Sequence, residues 1–578
     1  MFLSVPAAAR ATAATAGRRW LRSADVLLAV AGAGTAGYVA WDAEGILDRS
    51  GTYHAYEVWF GGILVVLILE ATRRTLGWPL PALALVGLAY AAFGHALPEL
   101  VAHRGFRAPR ILTTLYLTYD GIFGAILGVS AAFVFLFVLF GVFFRELGAS
   151  QFFLGLAEAL VGGVRGGAAK VAIIGSSLFG MISGSTVANA GTVGTVTIPM
   201  MKRAGFSPSF AAGVESAASV ASQLMPPVMG AAAFIMAEVL GVPYIRVAAA
   251  AAIPAVLYYT ALFVIVDFQA AKTGMRGLPA HARPAVGDVL RRGWTAVIPV
   301  AVLVYLMAVR DYSPGLSCAW ATATALALGL LGGRLTPVAA VKALAAAGRG
   351  ALEVTMACAC VGLIIGMVTL TGLGLKLSTL LLDLSGGSLL LLLVLTMLAS
   401  LVLGTALPTT ATYVVLAVLV APAIVKMGVA PIAAHMFVFY FGVIADITPP
   451  TALCVYVASS IAGAPFQRTC WVACRLAIAG FLLPFFFVYG PELVLVGAWP
   501  RIAAAALVAA LGILALASAI EGYLFRPLHV VERVLLVTAT VALVQPGWLN
   551  AVAAVALAAV ALRHLAAHGR VAVPKISP

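Results

Sequence analysis

Charge is scarce in this chain. Only 10% of its 578 residues are Asp, Glu, Lys or Arg and 63% are hydrophobic, whereas soluble domains carry about 25% charged residues. Too little polar surface remains to cover that apolar mass in water, so the composition excludes a soluble or disordered chain and implies an integral membrane protein in a lipid bilayer. Cysteine is scarce too, and six residues build no disulfide framework. Cys358 and Cys360 stand two apart and point to opposite sides of a helix. Cys470 and Cys474 share a face but lack further ligands, so packing roles are expected of them. Catalytic motifs are missing as well. No Gly-Lys dipeptide occurs, which excludes a Walker A loop and direct use of ATP. No G-x-S-x-G elbow occurs, and the nearest approach to a metalloprotease motif, His564 and His568 in HLAAH, lacks the acid and is expected on an interfacial helix face. The chain is not expected to be an enzyme.

What charge there is sums to +14, and most basic residues fall in short loops between apolar runs. Retention of Lys and Arg in the cytoplasm accounts for them better than a nucleic-acid partner does. Arg10, Arg18, Arg19 and Arg22 precede the first run, roughly 24–40, which reads as a retained helix with a cytoplasmic N-terminus rather than a signal peptide. The loop with Asp42, Glu44, Asp48 and Glu57 is acidic and reads as outside, whereas Arg73 and Arg74 read as inside. Runs follow at about 79–94 and 127–144. The segment 271–292, with Lys272, Arg276, Arg283, Arg291 and Arg292, is basic and cytoplasmic and divides the chain in two. Arg334, Lys342 and Arg349 mark another inside loop, and Arg563, Arg570 and Lys575 place the C-terminus inside.

Two regions are apolar enough to enter the bilayer but are interrupted at their centres. The first, 167–206, breaks at Gly180, Ser183, Gly184, Ser185, Thr186 and Asn189; the second, 388–427, breaks at GTALPTTATY from Gly404 to Tyr413. Each precedes a long apolar stretch with paired prolines: QLMPPVMG, containing Gln223, Pro226 and Pro227, and DITPPTAL, containing Asp446, Thr448, Pro449 and Pro450. Gly184 and Gly404 are 220 residues apart, and Pro226 and Pro449 are 223 apart. Two ordered pairs of breaks at nearly one spacing make an internal repeat. Counting spans from the basic loops, the first hairpin begins and ends inside and the second begins and ends outside. Inverted hairpins of this kind build a midplane substrate and ion site in secondary transporters.

The chemistry of the breaks agrees. Irregular backbone at membrane depth needs protein or a water-filled cavity to satisfy it. Ser185, Thr186, Asn189, Thr405, Thr409, Thr410, Thr412 and Thr448 supply neutral oxygens beside carbonyls freed by the proline pairs, a set suited to a hard cation. Half-helix N-termini suit an anionic carboxylate, so an anion and a sodium ion can share one site. Three acids lie in or beside the Pro-Pro stretches: Glu215, Glu238 and Asp446. An ionisable group inside the membrane marks function by default. For Asp446, binding a cation, carrying a proton and capping the following half-helix are all open; Glu238 reaches the interface.

At this point the residues resemble a known family. The stretch GMISGSTVANAGTVGTVTIPMMKRAGFSPSFAAGVESAASVASQLMPPVMGAAAFIMAEVLGVPY, residues 180–244, is similar to the large membrane subunit of tripartite ATP-independent periplasmic (TRAP) transporters, in the fused small-plus-large form that works with TAXI-class binding proteins. Residues 404–453, from GTALPTTATY through DITPPTAL, agree. The likeness covers roughly 125–490. It implies an all-α polytopic transporter of the elevator type in the bacterial inner membrane, with two inverted repeats and no ATP. It implies sodium-coupled uptake of an organic acid or amino acid delivered by a periplasmic TAXI-type binding protein. One sodium site maps to Ser183, Gly184, Ser185, Thr186, Asn189 and the backbone from Gln223 through Pro226 to Pro227. A second maps to Gly404, Thr405, Pro408, Thr409, Thr410 and the turn from Asp446 through Thr448 and Pro449 to Pro450. Substrate contacts are expected at Ser185, Asn189, Pro408, Thr409 and Thr412.

The implied organisation is small-subunit-like helices over 1–110, a first repeat over 111–270, a cytoplasmic linker over 271–293, a second repeat over 294–490, and extra helices over 491–578 that the usual large subunit lacks. Lys170, Lys202, Arg203 and Lys426 lie near the hairpin ends, leaving hydroxyls, dipoles and the cation to hold the substrate carboxylate. Two other readings stand beside this one: a one-component sodium-coupled carboxylate symporter without a binding protein, and a docking subunit that transports nothing.

Overall fold

The computed structural model describes residues 1–4, 15–49, 51–280, 283–544 and 547–569. Arg10, Arg570 and Lys575, and the side chains of Arg18, Arg19, Arg22 and His568, lie outside the described residues. Among the described residues, helices are the repeating structure, with one isolated bridge between Tyr523 and Pro527. Eleven of these helices are long and apolar enough to cross a membrane. That outcome follows from lipid as solvent, since a helix satisfies its own backbone groups where no water can. The expected all-α polytopic architecture is what the chain adopts. Many helix starts follow one local rule: Ser207, Ser313 and Thr336 each accept a hydrogen bond from the N–H three residues on, with Pro in the first turn.

The chain forms two compact units. The first comprises Met1–Val142, Thr336–Thr396 and Ala406–Met427. Its axis is the 35-residue helix Pro337–Thr371, packed on Ala55–Leu76, Pro79–Phe93 and Thr409–Leu419. Lys342 and Arg349 ride on this helix rather than in a loop, correcting the sequence reading. At 1.5 Å per residue the helix is about 52 Å long against a hydrocarbon core of about 30 Å, so it runs on into water, where basic residues cost little. At the N-terminal end of Ala55–Leu76, Arg49 Nη2 lies 2.7 Å from Asp42 Oδ2 and 2.9 Å from Glu57 Oε1. The Arg49 guanidinium holds the Asp42 carboxyl below the usual carboxylate range, so the acidic loop is partly neutralised from within.

The second unit comprises Phe143–Leu335, Met397–Thr405 and Gly428–Pro578. Its core is the helix Pro208–Ala221, buried at every position from Ser209 to Ala221. Gly167–Ser183, Leu453–Ala462 and Phe466–Leu476 pack around it. Ala211, Ala212, Gly213, Ala217 and Ala218 permit that approach, the use small residues have between membrane helices; a Cβ at Gly213 would lie 2.7 Å from Val472.

Further sequence readings need correction in this unit. The polar linker is shorter than 271–293: helix Tyr244–Lys272 runs into its start, and Val286–Ala308 already contains Arg291 and Arg292. Pro284 bars a helix upstream, and Asp288 in the first turn suits the positive end of the helix dipole. The C-terminal helices are Trp499–Glu521, Val530–Ala542 and Trp548–Gly569, the first packed on Tyr244–Lys272. His564 does not sit on an interfacial face; it is fully buried, with Nε2 3.2 Å from Glu532 Oε1. A carboxylate on the neighbouring helix drew it inward, a partnership that its own HLAAH context does not reveal. Five of the six thiols are buried and Cys474 is partly so; all are free, in keeping with packing roles.

Candidate functional site

The first hairpin is made by Gly167–Ser183, a break at Gly184 and Ser185, then Thr186–Thr192 and Gly194–Arg203. Gly184 has φ +63°, and a Cβ there would lie 2.9 Å from Met229 O. The turn therefore needs glycine twice over, for its left-handed backbone and for its closeness to the first Pro-Pro turn. Ser185 then caps Thr186–Thr192, accepting from the Ala188 N–H at 3.3 Å. The first Pro-Pro stretch is helical over Pro208–Ala221, tightens to a 3-10 turn at Ser222–Leu224, unwinds, and resumes at Ala231–Leu240. Gly230 N–H closes the unwound turn onto Gln223 O at 3.1 Å, and the Tyr244 hydroxyl donates to Pro227 O at 3.0 Å.

Asn189 joins these two breaks. Its Nδ2 donates to Ser176 O at 2.9 Å and to Ser222 Oγ at 3.3 Å. Those bonds fix the amide orientation and leave Oδ1 buried without a protein donor; Ser183 Oγ, at the same break, is also buried and unpartnered. Buried polar atoms are ordinarily satisfied. Two orphaned neutral oxygens are the donor chemistry a small hard cation takes. Gly180 makes room for this arrangement, because a Cβ there would overlap Ser222 Oγ and Asn189 Nδ2.

The second Pro-Pro stretch has the same form. Pro431–Ile444 ends in a 3-10 turn at Ala445–Ile447, and Leu453–Ala462 resumes after an unwound segment. Both Pro-Pro peptide bonds, Pro226-Pro227 and Pro449-Pro450, are cis. Thr448 Oγ1 donates to Ile444 O at 3.0 Å. Asp446 is buried, and its Oδ2 accepts from Thr186 Oγ1 at 2.7 Å. The first hairpin is thus tied to the second Pro-Pro turn as well as to its own, a contact across 260 residues that no local pattern announces. Thr186→Val is expected to lower the denaturation midpoint of the purified chain, at a cost of about 1–3 kcal/mol for a lost bond to a buried carboxyl. Thr186→Ser is expected to restore it, and an unchanged midpoint in Thr186→Val would show the bond to be idle.

The second hairpin comprises Leu389–Ala406, Thr409–Leu419 and Ala421–Lys426. Its non-helical break is narrower than the Gly404–Tyr413 span expected and is confined to Leu407 and Pro408. Pro408 removes one amide donor and sets up the next helix start, so the flanking Thr residues join the helices. Gly404 and Thr405 close the first helix, and Thr405 O accepts from the Thr451 hydroxyl beside the second Pro-Pro turn. Thr409 and Thr412 are buried and Thr410 is half-buried; Thr412 Oγ1 donates to Pro408 O at 3.2 Å.

The acids separate by environment. Glu238 is exposed. Glu215 is fully buried, accepting from Ser176 Oγ at 2.6 Å and Ser219 Oγ at 3.2 Å through Oε1, and from the Thr197 hydroxyl through Oε2. Ser176, Thr197, Ser219 and Ser222 went unremarked in the sequence. Ser176 and Gly180 stand four apart on one face of the hairpin helix, a spacing that would have indicated Ser176. The basic residues at the first hairpin's ends are held away from the break: Lys170 Nζ lies 2.6 Å from Asp267 Oδ1, and Lys202 Nζ donates to Ala462 O at 2.8 Å.

Residues 63–502 match the family described as "Tripartite ATP-independent periplasmic transporter, DctM component". Relatives include the sialic acid TRAP transporter large permease protein SiaM of Vibrio cholerae, 26% identical over 63% of this chain and 83% of that protein. The isethionate TRAP transporter permease protein DctMQ of Oleidesulfovibrio alaskensis is 25% identical over 57% of this chain and 52% of its own length. The C4-dicarboxylate TRAP transporter large permease protein DctM of Pseudomonas aeruginosa is 28% identical over 30% of this chain and 39% of its own length. The helices Val530–Ala542 and Trp548–Gly569 lie beyond the matched region. Matched over most of its length by a transporter family, and built from paired hairpins and Pro-Pro turns, this multi-pass chain belongs to the DctM component family of TRAP transporters and is a transporter permease rather than an enzyme.

Proposed function

We propose that this chain is the permease of a sodium-driven importer for an organic acid or amino acid, fed by a periplasmic TAXI-type binding protein. The observation that carries the reading is that two buried oxygens of the first hairpin have no hydrogen-bond partner, Ser183 Oγ beside the break and Asn189 Oδ1 in the helix that follows it. Sodium is cargo that moves down its gradient and needs neutral oxygen ligands. A carboxylate substrate then finds a local positive field from the cation and from the hairpin half-helix N-termini. The names of three relatives, which refer to sialic acid, isethionate and C4-dicarboxylates, support an acidic solute. Residues 1–62, ahead of the matched region, serve as the small-subunit part of a fused permease, a shorter stretch than the 1–110 expected from the sequence. The hairpins and Pro-Pro stretches move as an elevator in the bacterial inner membrane, and both termini lie in the cytoplasm.

Reconstituted vesicles test the sodium half of this reading. Uptake is expected to stop when choline replaces external sodium, and Thr409→Ala is expected to raise the sodium concentration for half-maximal uptake by about tenfold. Uptake indifferent to sodium in the unaltered chain would overturn it.

A further inference from the structure

Helix Phe466–Leu476 carries Arg468, Trp471 and Arg475 at spacings of three and four, so the three share one face. That face lines a cavity of about 790 Å³ in the second unit, closed on other sides by Phe206 and Phe210, whose rings stack at 5.3 Å, and by Gln269. No acidic side chain lines it among the described residues. Arg468 is exposed and has no ion pair among the described residues. Arg475 has one, at 3.5 Å to Glu521, which stands outside the cavity. Both guanidiniums therefore keep most of their five donors unspent. Trp471 is 65% exposed, as a tryptophan at the headgroup level of a membrane is.

Two guanidiniums line one cleft that has no acid in its lining, so an anion entering it is attracted by both. A fork of arginine donors suits phosphate oxygens, and a basic pocket between membrane helices on the cytoplasmic side is the form a headgroup site takes. The cavity is flanked by the end of the first hairpin at Arg203 and by the end of Tyr244–Lys272, both cytoplasmic in the orientation proposed above. We infer that this cavity binds a phosphate group, held by Arg468 and Arg475, with Trp471 placed to pack on the apolar part where a lipid carries that phosphate. The source is an anionic phospholipid of the inner leaflet or free phosphate.

Native mass spectrometry of the full chain in detergent separates the two, using dioleoyl phosphatidylglycerol, dioleoyl phosphatidylcholine and inorganic phosphate as probes. Saturable retention of phosphatidylglycerol over phosphatidylcholine identifies the lipid; saturable retention of inorganic phosphate identifies the soluble anion. Either is expected to weaken about tenfold in Arg468→Gln, which removes a charge-assisted bond from an exposed position. Arg349→Gln, which removes an exposed charge elsewhere, is expected to leave it unchanged. Retention of neither probe, or equal retention by both variants, would overturn the site. No uptake is measured, so the outcome does not depend on sodium coupling.

Discussion

Asn189→Ala is expected to reduce sodium-driven uptake to near background while leaving the chain folded. The amide has two jobs, both lost in the substitution, that two readouts separate. Its Nδ2 bonds to Ser176 O and Ser222 Oγ tie the first hairpin to the first Pro-Pro turn, and losing them costs about 1 kcal/mol each. Its Oδ1 has no protein donor, so its loss is invisible to stability and falls on whatever occupies the break. If that occupant is sodium, removing one oxygen ligand weakens its affinity by about 10- to 100-fold. Uptake measured across sodium concentrations, alongside the denaturation midpoint, reads the two effects independently. A variant with the lowered midpoint but unchanged sodium dependence would assign Asn189 to scaffolding alone.

The largest effect on stability is expected at Glu215. Three hydroxyls on three helical segments, Ser176, Thr197 and Ser219, donate to one fully buried carboxyl. Glu215→Ala leaves a cavity and strips those hydroxyls of their common acceptor, a combined cost of about 3–5 kcal/mol. Gly194 packs directly on this side chain, since a Cβ there would lie 3.1 Å from Glu215 Cγ, so the backbone cannot easily close over the gap. Glu215→Gln keeps the volume and one acceptor oxygen, and the Thr197 hydroxyl can turn to accept from the new amide; it is expected to cost about 1 kcal/mol. Thermal denaturation of both purified variants checks this. An alanine variant as stable as the glutamine variant would remove Glu215 from the core network.

The features legible in the sequence were those that punctuate an apolar run. Gly184, Pro408 and the two Pro-Pro pairs interrupt helices in ways that few other residues do, and each break fell where those residues stand. What the sequence could not show depended on partners distant along the chain. Asp446 bonds Thr186, and Glu532 draws His564 inward; neither pair has a periodicity to reveal it. Charge misled where helix and membrane boundaries differ. Lys342, Arg349, Arg291 and Arg292 have the basic character of loop residues, yet all four are helical. Charge placement reports contact with water, and a helix longer than the bilayer supplies that contact without ending. In the second hairpin the hydroxyl-rich run from Gly404 to Tyr413 looked like a broad break, but threonines near a helix end are compatible with helix, and proline alone fixed the interruption.

The central claim is that solute, sodium and a binding protein act together on this chain. Labelled organic acids and amino acids offered to proteoliposomes containing it, with and without an inward sodium gradient and with and without a periplasmic binding protein of the proposed TAXI type, test that claim most directly. Uptake only when gradient and binding protein are both present is the predicted result. Equal uptake without the binding protein would contradict the account and identify a one-component symporter.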